Sequence, residues 1–144
     1  MKIKKSILEL KKFWVSESHL AVISALEEED VQDIPLDIDF EILIGDELFK
    51  LVLQLEGNKG KNKKIGYSFK IVAEGIFGFT KEMEREDIER FLLFSALPMM
   101  IANTRGYLNV LTMYAPLGQY ILPSVDMTDL VEQKTKKSNS ESNK

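Results

Sequence analysis

At 144 residues, 44% hydrophobic and 29% charged, the chain has the material for one globular domain with a real core and no room for two ordinary ones. A net charge of −4 and a pI near 5.1 argue against a general phosphate-backbone binder, whose affinity comes from a basic footprint. The absence of cysteine excludes disulfides, thiolate metal sites and cysteine nucleophiles, and suits a reducing compartment.

The opening MKIKKSILELKKFWV has no unbroken apolar stretch between its lysines and makes a poor signal peptide. No run approaches the 18 or so apolar residues of a membrane span. The expected setting is therefore the cytoplasm, with no direct membrane insertion. Residues 7–22 are rich in β-formers, with Phe13 and Val15 on one parity and Leu8, Leu10 and Trp14 on the other. This predicts a strand apolar on both faces, covered by other protein on each or placed at a subunit boundary. Residues 26–35 carry the run EEED and read as a connection with solvated acids.

Residues 36–44, LDIDFEILI, alternate cleanly and predict a strand with Leu36, Ile38, Phe40, Ile42 and Ile44 on one face and Asp37, Asp39 and Glu41 on a wet one. Gly45-Asp46 marks a turn or bulge, after which Leu51, Leu53 and Leu55 resume the period of two. GNKGKNKK at 57–64 gives a polar hairpin tip; its lysines read first as a solubilising loop, with contact to an acidic partner as the alternative. Residues 65–79 form another strand, punctuated by Gly75 and Gly78, which mark a bulge or a close backbone approach.

From 81 to 94, charges alternate with Ile88, Phe91 and Leu92, a short amphipathic helix. It leads into a longer one with Ser95 as a candidate N-cap and Pro98 in the first turn, stopped by Ala115-Pro116 and then Gly118. On a wheel of about 100° per residue, Leu97, Met100, Ile101, Tyr107, Leu108, Val110, Leu111 and Tyr114 fill an arc of roughly 200°. One sheet covers only about half of that. Arg105, Asn109 and Thr112 mark the wet side. After Pro123, Met127, Leu130 and Val131 recur at helical spacing over 126–134, with Asp126 as N-cap. The polar residues 135–144 are expected to be a disordered tail on a single domain spanning 1–134. Strands first and helices after is the α+β order.

Signals for catalysis are weak. His19 has no second histidine or cysteine for a metal site. Asp37, Asp39 and Glu41 share a strand face without a liganding loop, and a solvated surface accounts for them. Phosphate-loop, nucleophile-elbow and zinc-protease motifs are absent, so no enzyme is expected. What stands out is apolar surface with no evident cover: Ile76, Phe77 and Phe79, six methionines, and Leu117, Tyr120, Ile121 and Leu122 in one loop. Residue by residue, ordinary core explains them; as a set beside so broad a helix they point to assembly or peptide binding.

Taken together, residues 69–133 resemble the SecB family of export chaperones. The likeness is carried by GIFGF at 75–79, RGYLNVLT at 105–112 and LPSVDM at 122–127, where Asp126 and Met127 replace the family's usual asparagine and phenylalanine. FWVSESHLAV and LDIDFEI resemble its first two strands more loosely, so that the likeness extends over most of 13–133. It implies a four-stranded antiparallel sheet with a long helix and a short C-terminal helix on one face, assembled as a homotetramer, a dimer of dimers. The long helices would then lie between two sheets, with Trp14, Leu97, Ile101, Tyr107, Leu108, Val110 and Leu111 at the interfaces.

The resemblance further implies an ATP-independent holdase that keeps unfolded preproteins competent for translocation, with no nucleotide, metal or other cofactor. Its client groove would be bordered by Ile34, Leu36, Phe77, Phe79, Leu117, Tyr120 and Leu130. Members that dock on the SecA motor present acids on the first strand and on the strand before GIF. Glu17 occupies the first such place, but Ala21 and Lys70 follow, and a lysine reverses the local field of an acidic docking face. Two alternatives stand beside export: a SecB-like chaperone dedicated to a toxin–antitoxin pair, and, in a different class, a small-molecule or lipid carrier, which a closed cavity would favour over an external groove.

Overall fold

The computed structural model describes residues 1–24 and 33–142; the acidic run at 27–30 lies outside the described residues. Strands β1 (Leu8–Ile23), β2 (Leu36–Ile44), β3 (Phe49–Gly57) and β4 (Gly66–Phe79) are followed by helix α1 (Arg85–Phe91), a π-helical turn (Leu92–Ala96), α2 (Leu97–Leu111) and α3 (Met127–Ser142). The strands form one antiparallel sheet in the order β1-β4-β3-β2, the α+β arrangement expected from the sequence. Its inner face carries Leu51, Leu53 and Leu55 from β3 and Phe69, Ile71 and Ala73 from β4, all buried against Leu97, Met100, Ile101 and Leu108 of α2.

The first strand is not apolar on both faces. Two register shifts, between Leu10 and Lys12 and between Val15 and Glu17, insert Lys11 and Ser16 as extra residues and switch the parity each time. Leu8, Leu10, Phe13, Val15, Leu20 and Val22 consequently all oppose inward-facing residues of β4, and of the bulky apolar residues named in the sequence only Trp14 turns outward. There its indole N–H donates to Glu74 Oε2 at 3.0 Å. Lys12 and Lys50 each lie 5.5 Å from its ring centroid. Lys50 Nζ also stands 2.7 Å from Glu74 Oε1; this hydrogen bond, foremost, holds the Glu74 carboxyl below its ordinary range.

Gly75 proves to be a close approach: a Cβ there would stand 2.5 Å from Met100 Sδ, so its lack of a side chain lets α2 seat on β4. The helical boundaries also differ from the sequence reading. Ser95 is not an N-cap, because α1 runs through the π-helical turn directly into α2 with no side-chain cap at their junction. Pro98 supplies the reason: with no N–H to give to the carbonyl four residues back, it favours a local change of helical register. At the C-terminus α3 runs to Ser142, past Lys134 and into residues expected to be disordered. Good helix formers at Glu132, Gln133, Lys134, Lys136 and Lys137 carry it on. A Gln133–Asp129 bond of 2.6 Å and the Thr135 hydroxyl on Val131 O at 3.0 Å add local support.

Candidate functional site

A cleft with an exposed apolar wall is built by the way residues 112–123 fold back after α2. Of Thr112, Arg105 and Asn109, read from the sequence as the wet side of the helix, Thr112 and Arg105 instead bond this loop, and Asn109 is partly buried. Thr112 is fully buried; its hydroxyl donates to Leu108 O and accepts from Tyr120 N–H, both at 2.8 Å. Arg105 donates from Nε to Leu122 O at 2.9 Å and from Nη2 to Pro123 O at 3.2 Å. From β4, the Tyr67 hydroxyl donates to Gly118 O at 2.6 Å and accepts from Leu117 N–H at 3.0 Å. Gly118 turns the chain at φ 81°, a conformation that costs glycine little.

This pinning sets Tyr120 against two aromatic rings, with centroids 5.4 Å from Phe69 and 6.4 Å from Tyr67. Between the loop and the lead-in to β2 it leaves a cleft of about 560 Å³ walled by Ile34, Leu36, Tyr67, Leu117, Tyr120 and Ile121, among others. Ile121 is 68% exposed and Leu36 and Leu117 each 37%, so the cleft is an external groove. Burial, with the Asp33 carboxylate adding to it, pushes the Tyr120 phenol above its ordinary pKa. The wall can therefore offer apolar area and aromatic faces, and its phenol keeps its proton at neutral pH.

Four of the seven residues expected to border one channel meet here: Ile34, Leu36, Leu117 and Tyr120. Phe77 does not, since it is fully buried in the core. Phe79 is half-buried and packs edge-on against Phe49 at 5.5 Å and Phe91 at 5.8 Å. Both lie at the far end of β4 from Tyr67, roughly 40 Å along the strand for Phe79 at the usual rise per residue. Leu130 is buried on α3 and borders smaller clefts beside Ile38 and Phe40. Tyr67 enters the site unannounced, although its inward parity with Phe69 is readable in the sequence. Ile121 was visible only as uncovered apolar surface.

The residues expected at subunit interfaces divide in a similar way. Leu97, Ile101 and Leu108 are buried against the chain's own sheet, and Tyr107 and Leu111 pack on the same core. Val110 alone among the α2 set stands clear, 64% exposed. The true outer side of α2 comprises Ala102, Gly106 and Val110, all exposed and within about 80° of one another on the wheel. On the outer sheet face, Lys70 Nζ lies 3.5 Å and His19 Nε2 3.4 Å from Glu17 Oε1, so the acid that would serve motor docking already faces a lysine.

Two of the three acids of β2 are likewise engaged. Asp37 pairs with Lys59, and Asp39 accepts from Lys134 at 2.8 Å and Lys137 at 3.4 Å. Burial raises the Asp39 pKa, but the Lys134 and Phe40 N–H hydrogen bonds and the two lysine charges outweigh it and leave it lowered. Among the described residues no three His, Asp or Glu side chains gather where a metal ion could be held, and no helix is long and apolar enough to cross a membrane.

No family model and no curated protein matches the chain. Among solved structures, the fold is similar to that of the SecB-like chaperone Rv1957 of Mycobacterium tuberculosis, solved with a ChAD peptide from the HigA1 antitoxin, with TM-score 0.60 and 14% identity over 83% of this chain and 91% of that one. A protein of unknown function from Streptococcus agalactiae aligns with TM-score 0.44 and 12% identity over 81% of this chain and 97% of that one. At the level of the fold, the chain is SecB-like.

Proposed function

We propose that the chain is an ATP-independent chaperone that holds unfolded polypeptide in the Tyr67–Tyr120 cleft. The observation that carries this reading is the pinned loop: Tyr67, Thr112 and Arg105 hold residues 117–123 so that Leu117 and Ile121 stay exposed beside Leu36. Apolar contact is non-directional and scales with area, at roughly 25 cal/mol per Å², so such a wall accepts many sequences provided they are unfolded. The carrier alternative loses ground because the cleft is external. A test is suppression of aggregation of an unfolded model protein in the absence of nucleotide. Stoichiometric protection supports the reading, and no protection at a severalfold excess of this chain contradicts it.

Within this class, service to a toxin–antitoxin pair is favoured over general export by two observations. Lys70 beside Glu17 weakens an acidic docking face for SecA, and the M. tuberculosis structure of similar fold was solved with an antitoxin peptide. A pull-down from the native cell separates the two by yielding one antitoxin or many preproteins. The assembly we propose is a homotetramer built as a dimer of dimers in the cytoplasm, joined through the outer face of α2 around Val110 rather than through Leu97, Ile101 or Leu108.

A further inference from the structure

We propose that the lysine hairpin between β3 and β4 selects polypeptide segments whose apolar stretch is flanked by acidic residues. This rests on the cleft's holding unfolded chain and adds a charge preference to it. Residues 57–64 contain four lysines and no acid in a protein whose net charge is −4, so the tip is a local reversal of the protein's sign. It is also a built loop. Asn58, 1% exposed and at φ 56°, organises it from within. Its amide donates to Lys64 O at 2.8 Å and Tyr67 O at 3.1 Å, and its side-chain oxygen accepts from Lys64 N–H at 2.8 Å.

The same residue ties the loop to the cleft. Asn58 N–H donates to Pro35 O at 2.8 Å, between cleft residues Ile34 and Leu36, while Tyr67 is itself a cleft wall. A segment leaving the cleft at this end therefore meets the hairpin within a few residues. Beyond the loop, on the outer sheet face, Lys59, Lys63, Lys70, His19 and Ser68 surround a second cleft of about 280 Å³ that holds one acid, Glu56. Lys63 Nζ is fixed there by Ser68 Oγ at 2.9 Å and Asn58 O at 3.1 Å. Among the described residues, Lys61 and Lys64 make no ion pair. Lysine is a mobile point charge and favours carboxylates without demanding one geometry, which suits a site that reads composition rather than sequence.

The test compares three fluorescent peptides sharing one aromatic and aliphatic core, flanked by four glutamates, four serines or four lysines, titrated by anisotropy at low and at roughly 0.5 M salt. Wild-type protein should bind the glutamate-flanked peptide about tenfold more tightly than the serine-flanked one at low salt, the sum of a few exposed pairs, and the margin should collapse at high salt. The exposed double variant Lys61→Glu/Lys64→Glu should lose that margin and keep the serine-flanked affinity. Equal affinities for glutamate and serine flanks in the wild type, or a margin that survives in the variant, overturn the charge preference alone. Binding of none of the three peptides overturns the cleft reading and the preference with it.

Discussion

The hydroxyl of Tyr67 bridges two residues of a loop some fifty positions later in the chain, donating to Gly118 O at 2.6 Å and accepting from Leu117 N–H at 3.0 Å. One side chain of the sheet thereby fixes the wall that an incoming chain would touch. Tyr67→Phe keeps the ring contact with Tyr120 and removes both bonds. We expect a loss of about 1 kcal/mol in urea unfolding and a larger fractional loss in peptide affinity, because the loop is freed. Equal affinity in this variant would show that the pinning does not matter for binding.

Phe77 and Tyr120 should fail in different ways. Phe77→Ser empties a fully buried site and should cost about 3–5 kcal/mol of stability, seen as a lower denaturation midpoint. Tyr120→Ser removes a half-buried cleft wall and should chiefly reduce protection of an unfolded client, at a smaller stability cost. Aggregation assays run beside thermal melts separate the two.

Two neighbours on α2 give a second contrast. Leu108→Ala should destabilise the protomer by about 2–5 kcal/mol, since Leu108 is fully buried on its own sheet. Val110→Asp should leave the far-UV circular dichroism unchanged and shift sedimentation to a smaller species, because a carboxylate at a buried contact has no partner. Unchanged mass for Val110→Asp would place the assembly surface elsewhere on the protein.

The Asp39–Lys134 pair ties α3 to β2. Because the folded-state pKa of Asp39 lies below its ordinary value of 3.8, its contribution is present above that value and is lost as pH falls through the folded pKa. Lys134 and Asp39 side chains are 30% and 46% exposed, so solvent screening keeps the effect within about 1 kcal/mol. Asp39→Asn should be slightly less stable than wild type at pH 7, and the gap should close below about pH 3.8. A gap that persists at pH 2 would assign the loss to something other than the charge.

Much of the fold was legible because one face of each element is buried. β2 was readable to the residue, Leu36–Ile44, since a half-wet strand writes its alternation into the sequence. β1 was misread because a count by twos cannot see the extra residues Lys11 and Ser16; two parity switches make a one-sided strand look two-sided. α2 was misread in the opposite sense. Arg105 and Thr112 look like solvent markers but bond the returning loop, while Ala102 and Gly106, which look neutral, form the exposed side. At the site, the aromatic residues were conspicuous but their ends of the sheet were not. Phe77 and Tyr67 share a strand, a face and burial in the core, and only the returning loop at Leu117 and Gly118 makes Tyr67 a groove wall as well.

The central claim is tested most directly by titrating a labelled, permanently unfolded polypeptide into the wild type and into Tyr120→Ser/Ile121→Ser, with the same polypeptide in its folded form as competitor. The account predicts saturable binding to the wild type without nucleotide, at least tenfold weaker binding to the double variant at unchanged fold, and no competition from the folded form. Wild-type affinity retained in the double variant, or equal competition by the folded protein, would contradict it.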